Sequence, residues 1–241
     1  MTQIGTVLSL PGAALAELAG TALDFAWIDL EHGALGLADV QAMAVGLAAA
    51  GCEAHVRLPS VAPERLPAVL DAGVDGIVAP RVESAEQAQE LVRALSYPPA
   101  GVRGYGPRRA SRYGRTGSFW TASESRVAFT VQIESRAGVA AAEQIAAVAG
   151  VDALVVGCSD LSLELDVPQD LRANALREAV RTVAAAAAGA RRRFGLAASG
   201  DPAEIRALAR PDVIVYSADC RIYSAAMDAA AAALEEAHAL V

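Results

Sequence analysis

The stretch Phe25-Ala26-Trp27-Ile28-Asp29-Leu30-Glu31-His32-Gly33 joins a short apolar run to a polar tail. The apolar half predicts a buried strand, and a helical pattern over Leu37–Ala50 follows the stretch. Two carboxylates and an imidazole therefore stand at the exit of a core strand, where α/β proteins place their chemistry. The alternative is that Asp29 and Glu31 cap the next helix and that His32 is incidental.

Apolar strand-like runs alternate with Ala-rich helical runs along the whole chain. Strands are predicted at Thr6–Leu10, Phe25–Asp29, Glu53–Arg57, Gly76–Ala79, Ala128–Ile133, Ala153–Val156, Arg193–Ala197 and Val213–Ser217. Helices are predicted at Gly12–Ala19, Leu37–Ala50, Ala62–Ala72, Ala85–Leu95, Gly138–Ala149, Leu171–Ala190, Ala203–Arg210 and Ile222–Ala239. Eight βα units without a break in composition favour a single α/β domain over residues 1–241, a (β/α)8 TIM barrel. An open doubly wound sheet is the main competing architecture.

The connection from Ser96 to Val127 shows no hydrophobic period. It is rich in Gly, Pro, aromatic residues and arginines, the latter being Arg103, Arg108, Arg109, Arg112 and Arg115. A loop this long in a compact domain is usually functional or disordered. We expect a flap or a subunit contact that also helps to bind an acidic substrate; a solvated surface loop is the alternative.

Charge and apolar run lengths limit the possible partners. A net charge of −8 and a pI of about 4.9 argue against nucleic acid as a partner. No apolar run approaches the roughly 20 residues of a membrane helix, and Met1–Gly5 lacks the basic start of a signal peptide. The three cysteines are spread out without a CxxC pair, which is typical of reduced thiols. These features predict a cytoplasmic protein.

The chain contains no lysine, and all 20 of its basic residues are arginines. Schiff-base chemistry on a carbonyl substrate or on pyridoxal phosphate (PLP) needs a lysine amine, so both are excluded. A P-loop is excluded for the same reason. An enzyme of carbonyl compounds with this composition must use a metal or hydrogen bonds in place of an imine.

Polar residues collect where the predicted strands end, the face at which barrel enzymes act. They are Asp29, Glu31 and His32 after strand 2, Arg57 on strand 3, Gln132 and Glu134 on strand 5, and Asp160 after strand 6. Because Gln132 and Glu134 lie two residues apart, both should point into the barrel. Glu134 and Asp160 form a hard oxygen site that suits Mg²⁺ or Mn²⁺, with Co²⁺ as a further candidate.

The segment Gly157-Cys158-Ser159-Asp160-Leu161-Ser162 opens with a glycine turn. Backbone amides of such a turn could hold a carboxylate, as anion-binding nests do. The alternative is that Ser159 or Asp160 caps a short helix. His55 shares the strand-3 face with Arg57 but lies two residues deeper, and we expect it to pack inside the barrel.

Together these motifs resemble the HpcH/HpaI aldolases, metal-dependent class II pyruvate aldolases of the phosphoenolpyruvate/pyruvate barrel group. The resemblance covers nearly the whole chain. Its motifs are Ile4-Gly5-Thr6, Asp29-Leu30-Glu31-His32-Gly33, Val56-Arg57-Leu58-Pro59, Leu70-Asp71-Ala72-Gly73-Val74-Asp75-Gly76-Ile77, Pro99-Ala100-Gly101-Val102-Arg103-Gly104, Gln132-Ile133-Glu134-Ser135 and Gly157-Cys158-Ser159-Asp160-Leu161-Ser162.

The resemblance implies a role for each matching residue. It implies that His32 is the acid/base, that Arg57 stabilises the developing oxyanion, and that Glu134 and Asp160 bind the metal. It implies that Gln132, Ser159, Asp160 and Arg57 contact the substrate. It further implies that Asp71 raises the basicity of His32. Since Asp71 ends a helix far from the mouth of its own barrel, we expect that effect to cross a subunit interface; a plain helix-end role is the alternative.

The implied reaction is reversible cleavage of a 4-hydroxy-2-oxo acid to pyruvate, or hydroxypyruvate, and an aldehyde. The resemblance also implies a homo-oligomer, a hexamer of dimers that exchange their last helix. Other enzymes of the group, an oxaloacetate decarboxylase or a citrate-lyase-like enzyme, are alternatives, as is a non-catalytic carboxylate-binding scaffold. The chain departs from the family at Cys158, where proline is usual, and at Arg81, where a less charged residue is expected. The segment between His32 and Glu134 is also slightly short.

Overall fold

The computed structural model describes residues 1–121 and 126–239, and its centre is a closed barrel of eight parallel strands. The strands are β1 Gln3–Leu8, β2 Phe25–Asp29, β3 Glu53–Arg57, β4 Gly76–Ala79, β5 Ala128–Ile133, β6 Ala153–Gly157, β7 Arg193–Ala198 and β8 Val213–Ala218. Because β8 pairs with β1, the ladder closes on itself. The predicted (β/α)8 barrel is therefore confirmed, and the open sheet is excluded.

Helices connect successive strands. They are α1 Ala13–Gly20, α2 Leu37–Ala49, α3 Leu66–Asp71, α4 Ala85–Leu95, α5 Arg136–Ala140, α6 Ala142–Ala146, α7 Cys158–Glu164, α8 Asn174–Gly189, α9 Pro202–Leu208 and α10 Asp219–Ala239. Several predicted helix ends shift by one to three residues, and two predicted helices differ in kind: a 3₁₀ turn over Pro63–Arg65 precedes α3, and the helix predicted at Gly138–Ala149 is broken at Ala141. No helix among the described residues has both the length and the apolar character needed to cross a membrane.

Strand β1 begins three residues earlier and ends two residues earlier than predicted. Its start pairs with β8, where Gln3 lies opposite Val213. Its end is set by Asp219, which accepts hydrogen bonds from the amides of Ser9 and Leu10 at 2.9 to 3.0 Å. Those amides are therefore unavailable to a neighbouring strand.

Alternation along the strands separates the two sides of the barrel wall. One set of buried side chains fills the barrel interior, namely Phe25, Trp27, Val78, Val155, Val213 and Val215. Residues of the other parity, such as Ile28, Val56 and Ile133, join the larger core between strands and helices. Asp29 continues the parity of Phe25 and Trp27, so its side chain lies inside the barrel, at the carboxyl end.

The long connection covers the opposite end of the barrel. Arg109 donates to the carbonyls of Ala72 and Gly73, just after α3 ends. Arg103 is buried, with its guanidinium 4.6 Å from the Tyr97 ring centroid. Over residues 96–121 and 126–127 the connection therefore does not form a flap over the mouth of its own barrel, and its use as a subunit contact stays a prediction. Residues 122–125 of this predicted connection lie outside the described residues.

The last helix leaves the barrel. Every residue from 220 to 235 is exposed, including the large apolar side chains of Ile222, Tyr223, Met227 and Leu234. Its first turn is anchored by Asp219, whose carboxylate ties α10 to the end of β1. The start of α10 is thus fixed while its apolar residues are not covered by this barrel.

Candidate active site

The central contact of the barrel mouth joins Asp29 of β2 to Arg57 of β3. The two residues are register partners on adjacent strands. Arg57 donates from Nε to Asp29 Oδ1 at 2.9 Å and from Nη2 to Oδ2 at 2.8 Å. Both residues are buried. A paired, bidentate geometry of this kind compensates for the desolvation of two buried charges and fixes the plane of the guanidinium.

Glu31 completes the surroundings of that guanidinium. Its Oε2 lies 3.1 Å from Arg57 Nη1, yet no donor is aligned on this buried oxygen. Burial works to lower the pKa of Arg57, but the hydrogen bonds of Asp29 and the charges of Asp29 and Glu31 outweigh it and raise that pKa. Burial also raises the pKa of Glu31. The guanidinium is thus permanently charged and held among carboxylates.

The helix-cap interpretation of Asp29 and Glu31 is wrong. Helix α2 begins after Gly36, and Asp39 accepts a hydrogen bond from the Gly36 amide at 2.9 Å. Asp29 Oδ1 instead accepts from the amide of Glu31 at 3.0 Å, so it shapes its own turn while it holds Arg57.

The two described histidine side chains lie at opposite ends of the barrel. His32 stands at the rim, with 64% of its side chain exposed and Nε2 3.8 Å from Glu31 Oε2. His55 is buried at the amino end, where Nε2 lies 3.1 Å from Glu53 Oε2 and the ring packs on Phe25. The expectation that His55 packs inside the barrel is confirmed, and it leaves His32 as the imidazole at the mouth.

Glu134 is buried at the end of β5 and is held on both carboxylate oxygens. Oε1 accepts from the Arg81 amide at 2.8 Å, and Oε2 accepts from Gln132 Nε2 at 2.5 Å. A Cβ atom at Gly157 would lie 2.5 Å from Glu134 Oε2, so a larger residue there would displace this carboxylate. Burial and the nearby charges of Glu31 and Asp160 raise the pKa of Glu134 to about 7.

Ser159 and Asp160 lie in the first turn of α7. The residue that caps this helix is Gly157, without a side-chain hydrogen bond, so the interpretation of either residue as the cap is wrong. Both line a cavity of about 100 Å³ at the mouth, together with Arg57 and Gln132. Cys158 is buried beside them, and burial raises the pKa of its thiol to about 12. The turn thus forms with Cys158 at the position where the resemblance leads us to expect proline.

Sequence reasoning missed two serines that line the same cavity, Ser199 after β7 and Ser217 on β8. Their positions at strand ends were a signal, but serine is too common in loops for that signal to single them out. Ser217 has a φ of 57°, which is unusual for a residue other than glycine and marks a constrained backbone at the mouth.

Asp71 does not join this group within one chain. It ends α3, where Arg103 Nη2 lies 3.9 Å from its Oδ1 and Gly106 packs against its carboxylate. Burial raises the pKa of Asp71 in spite of the nearby arginines. Any action of Asp71 on His32 must therefore come from another subunit.

The mouth has an excess of acceptor oxygens. Four carboxylates, those of Asp29, Glu31, Glu134 and Asp160, surround the guanidinium of Arg57, and Glu31 Oε2 and Gln132 Oε1 are buried without a hydrogen-bond partner. Unpaired buried acceptors are costly unless a cation or donor meets them. Over residues 1–121 and 126–239 no three His, Cys, Asp or Glu side chains form a metal cluster, so a cation here would depend on two carboxylates and outside ligands. Magnesium sites are commonly built in this way, and the residues fit such an ion.

The raised pKa of Glu134 predicts that the unfolding free energy of the metal-free protein depends on pH. Since the folded pKa of about 7 exceeds the ordinary value of 4.5, stability falls as pH rises between these values and stays low above them. Glu134→Gln removes the charge, so its advantage in unfolding free energy should grow by up to about 3 kcal/mol from pH 4.5 to 8. Urea unfolding in the presence of a chelator measures it, with exposed Glu143→Gln as the control; equal pH curves for both variants would contradict the assignment.

Comparisons with known proteins agree with this geometry. The family model of the HpcH/HpaI aldolase/citrate lyase family matches residues 7–200. A 4-hydroxy-2-oxovalerate aldolase of Rhodococcus jostii is 38% identical over 69% of this chain and 66% of its own length. A hydroxypyruvate/pyruvate aldolase of Roseovarius nubinhibens is 36% identical over 76% of this chain and 72% of its own length. The chain thus spans about two thirds of these relatives.

A solved structure extends the match to the whole fold. The crystal structure of an HpcH/HpaI aldolase/citrate lyase family protein from Burkholderia cenocepacia superposes with a TM-score of 0.89 and 33% identity, covering 98% of this chain and 95% of that protein. The family expected from the motifs is confirmed. The chain belongs to the HpcH/HpaI aldolase/citrate lyase family.

Proposed function

We propose that the protein is a metal-dependent aldolase, a carbon–carbon lyase that reversibly cleaves a 4-hydroxy-2-oxo acid to pyruvate, or hydroxypyruvate, and an aldehyde. The observation that carries this proposal is the fixed Arg57 guanidinium beside the two carboxylates of Glu134 and Asp160, with His32 at the rim. The names of the relatives, which are aldolases of 4-hydroxy-2-oxovalerate or of pyruvate and hydroxypyruvate, support it.

Glu134 and Asp160 are the residues that would hold a divalent ion, Mg²⁺, Mn²⁺ or Co²⁺. When bound, the ion would act as a Lewis acid on the 2-oxo acid and favour its enolate. Schiff-base formation and PLP have no place in this mechanism, because the chain contains no lysine. The Oε1 atom of Gln132, which is buried without a hydrogen-bond partner, supports a cation at this position.

The chain's own residues account for orientation and proton transfer. Arg57, locked by Asp29, offers fixed positive charge to the oxygen that gains charge as the C3–C4 bond breaks. Gln132 and Ser159 contact the 2-oxo acid. Backbone amides of the turn that opens α7 would hold its carboxylate. His32 accepts the proton of the C4 hydroxyl as that carbon becomes the aldehyde, and returns it in condensation. Asp71 of another subunit would raise the basicity of His32.

The alternatives are another enzyme of the same barrel group and a protein without catalytic activity. An oxaloacetate decarboxylase or a citrate-lyase-like enzyme would use the same cluster, but the imidazole of His32 at the rim favours aldol cleavage, which needs a base for the C4 hydroxyl. A non-catalytic carboxylate-binding scaffold would have no reason to keep Glu134 buried at a raised pKa. Both observations favour the aldolase.

We further propose that residues 1–241 form one functional domain. The protein is then a cytoplasmic homo-oligomer of this domain. The exposed apolar side chains of α10 support dimers that exchange this helix, and the distance of Asp71 from its own mouth supports assembly of those dimers into a hexamer. The partners are then a small 2-oxo acid and an aldehyde. The acidic charge argues against nucleic acid, and no membrane role is proposed.

The proposed reaction is tested by pyruvate release from 4-hydroxy-2-oxo acids and from oxaloacetate, measured side by side. We expect faster release from the hydroxy acids, loss of activity on exhaustive chelation, and recovery on adding Mg²⁺ or Mn²⁺. The proposal fails if oxaloacetate is the better substrate or if the chelated protein keeps full aldol activity.

The proton carrier is tested by comparing His32→Ala with His55→Ala. Turnover of the His32 variant should fall by about 10²–10⁴-fold, the usual contribution of a positioned acid/base. Its affinity for pyruvate should change little, because the ion held by Glu134 and Asp160 would bind that end together with Arg57. The assignment is wrong if the His55 variant loses the chemistry while the His32 variant keeps it.

A further inference from the structure

Arg81 is tied to the candidate site through its backbone. It follows β4 directly after Ala79-Pro80, and its amide donates to Glu134 Oε1 at 2.8 Å. Its φ of 47° places it in the left-handed region, which residues other than glycine rarely adopt. The turn that brings this amide to the carboxylate therefore also fixes where the Arg81 side chain leaves the backbone.

The Arg81 side chain does not serve Glu134. Arg81 lowers the pKa of Glu134 through its amide hydrogen bond, whereas the positive charge that lowers this pKa belongs to Arg57. The Arg81 guanidinium instead lies over α7, with Nη2 3.7 Å from Glu164 Oε2, and 53% of the side chain is exposed. The proposed mechanism thus leaves this positive charge unused.

The position of Glu164 locates that charge relative to the chemistry. Asp160 and Glu164 are four residues apart on α7, so they share one face of the helix. One helical turn rises about 5.4 Å, a span that a short acyclic aldehyde covers. Arg81 follows β4 at the carboxyl end of the barrel, and its guanidinium lies beside Glu164, one turn of α7 beyond Asp160.

The hold of Glu164 on Arg81 is weak. The ion pair is long and half-exposed, and pairs of this kind contribute about 0 to 1 kcal/mol. Glu164 has other partners, since its Oε1 accepts from the Arg136 amide at 2.8 Å. Arg136, in contrast, is engaged by the Glu164 carbonyl at 3.0 Å and by Asp166 at 3.6 Å. Arg81 can turn to an incoming anion with little loss.

We infer that Arg81 determines specificity at the aldehyde end of the site. It would favour aldehydes that carry an anionic group at the end remote from the carbonyl, by a charge-assisted hydrogen bond to the guanidinium. This inference rests on the proposed function, because it assumes that the 2-oxo acid is bound by Arg57 and by the ion that Glu134 and Asp160 would hold, and that the aldehyde extends towards the rim.

The test compares condensation of pyruvate with two aldehydes of equal length, 4-oxobutanoate and butanal. The measured quantity is the ratio of their kcat/KM values in the parent, Arg81→Gln, Arg81→Lys and Arg136→Gln. The ratio should favour 4-oxobutanoate in the parent and fall roughly tenfold in Arg81→Gln, the usual range for a hydrogen bond to a charged group. Arg81→Lys should keep most of the preference, and Arg136→Gln, a neighbouring rim arginine, should keep the parent ratio.

Salt gives a second readout. The parent ratio should fall as ionic strength rises, because an exposed charge pair is screened, whereas the ratio of Arg81→Gln should not. An Arg81→Gln ratio equal to that of the parent, or an equal loss in Arg136→Gln, would overturn the inference while butanal turnover still supports the aldolase. A parent that condenses pyruvate with neither aldehyde would overturn the proposed function, and this inference with it.

Discussion

The bidentate contact between Asp29 and Arg57 is the interaction on which the mouth of this barrel depends. It exists because β2 and β3 pair in a register that places the two residues opposite each other. The next inward-facing pair along these strands is Trp27 and His55, and Phe25 lies below it. These side chains fill the interior and hold the register. A shift by one residue would turn every one of these side chains to the other side of the barrel wall.

The second constraint is the excess of negative charge around that contact. Asp29 neutralises the guanidinium, so Glu31, Glu134 and Asp160 share a site without a matching cation from the described residues. The fold tolerates Glu134 by burying it, by donating the Arg81 and Gln132 hydrogen bonds to it, and by leaving space at Gly157. A divalent ion would restore the balance.

Much of the fold could be predicted because buried parallel strands are apolar runs with clear ends. Strands β2 to β5 have the predicted bounds. The end of β1 could not be predicted, since it depends on hydrogen bonds to Asp219, some 210 residues away in sequence. The break at Ala141 likewise interrupts a run whose composition favours helix throughout.

The candidate site was predicted in its residue types but not in its contacts. Alternation on β5 was sufficient to place Gln132 and Glu134 together. The pairing of Arg57 with Asp29 needed the strand register, and the role of the Arg81 amide needed a left-handed turn that no local pattern indicates. Asp71 was expected to act across subunits, and its separation from His32 within one chain leaves that expectation as a proposal.

The central claim is that Glu134 and Asp160 hold a cation that makes the enolate of pyruvate accessible. Exchange of the pyruvate methyl protons with deuterium, followed by NMR without any aldehyde, tests this step apart from carbon–carbon bond cleavage. The account predicts exchange with the Mg²⁺- or Mn²⁺-loaded protein and none above background after chelation. Exchange at the same rate in the loaded and the chelated protein would contradict it.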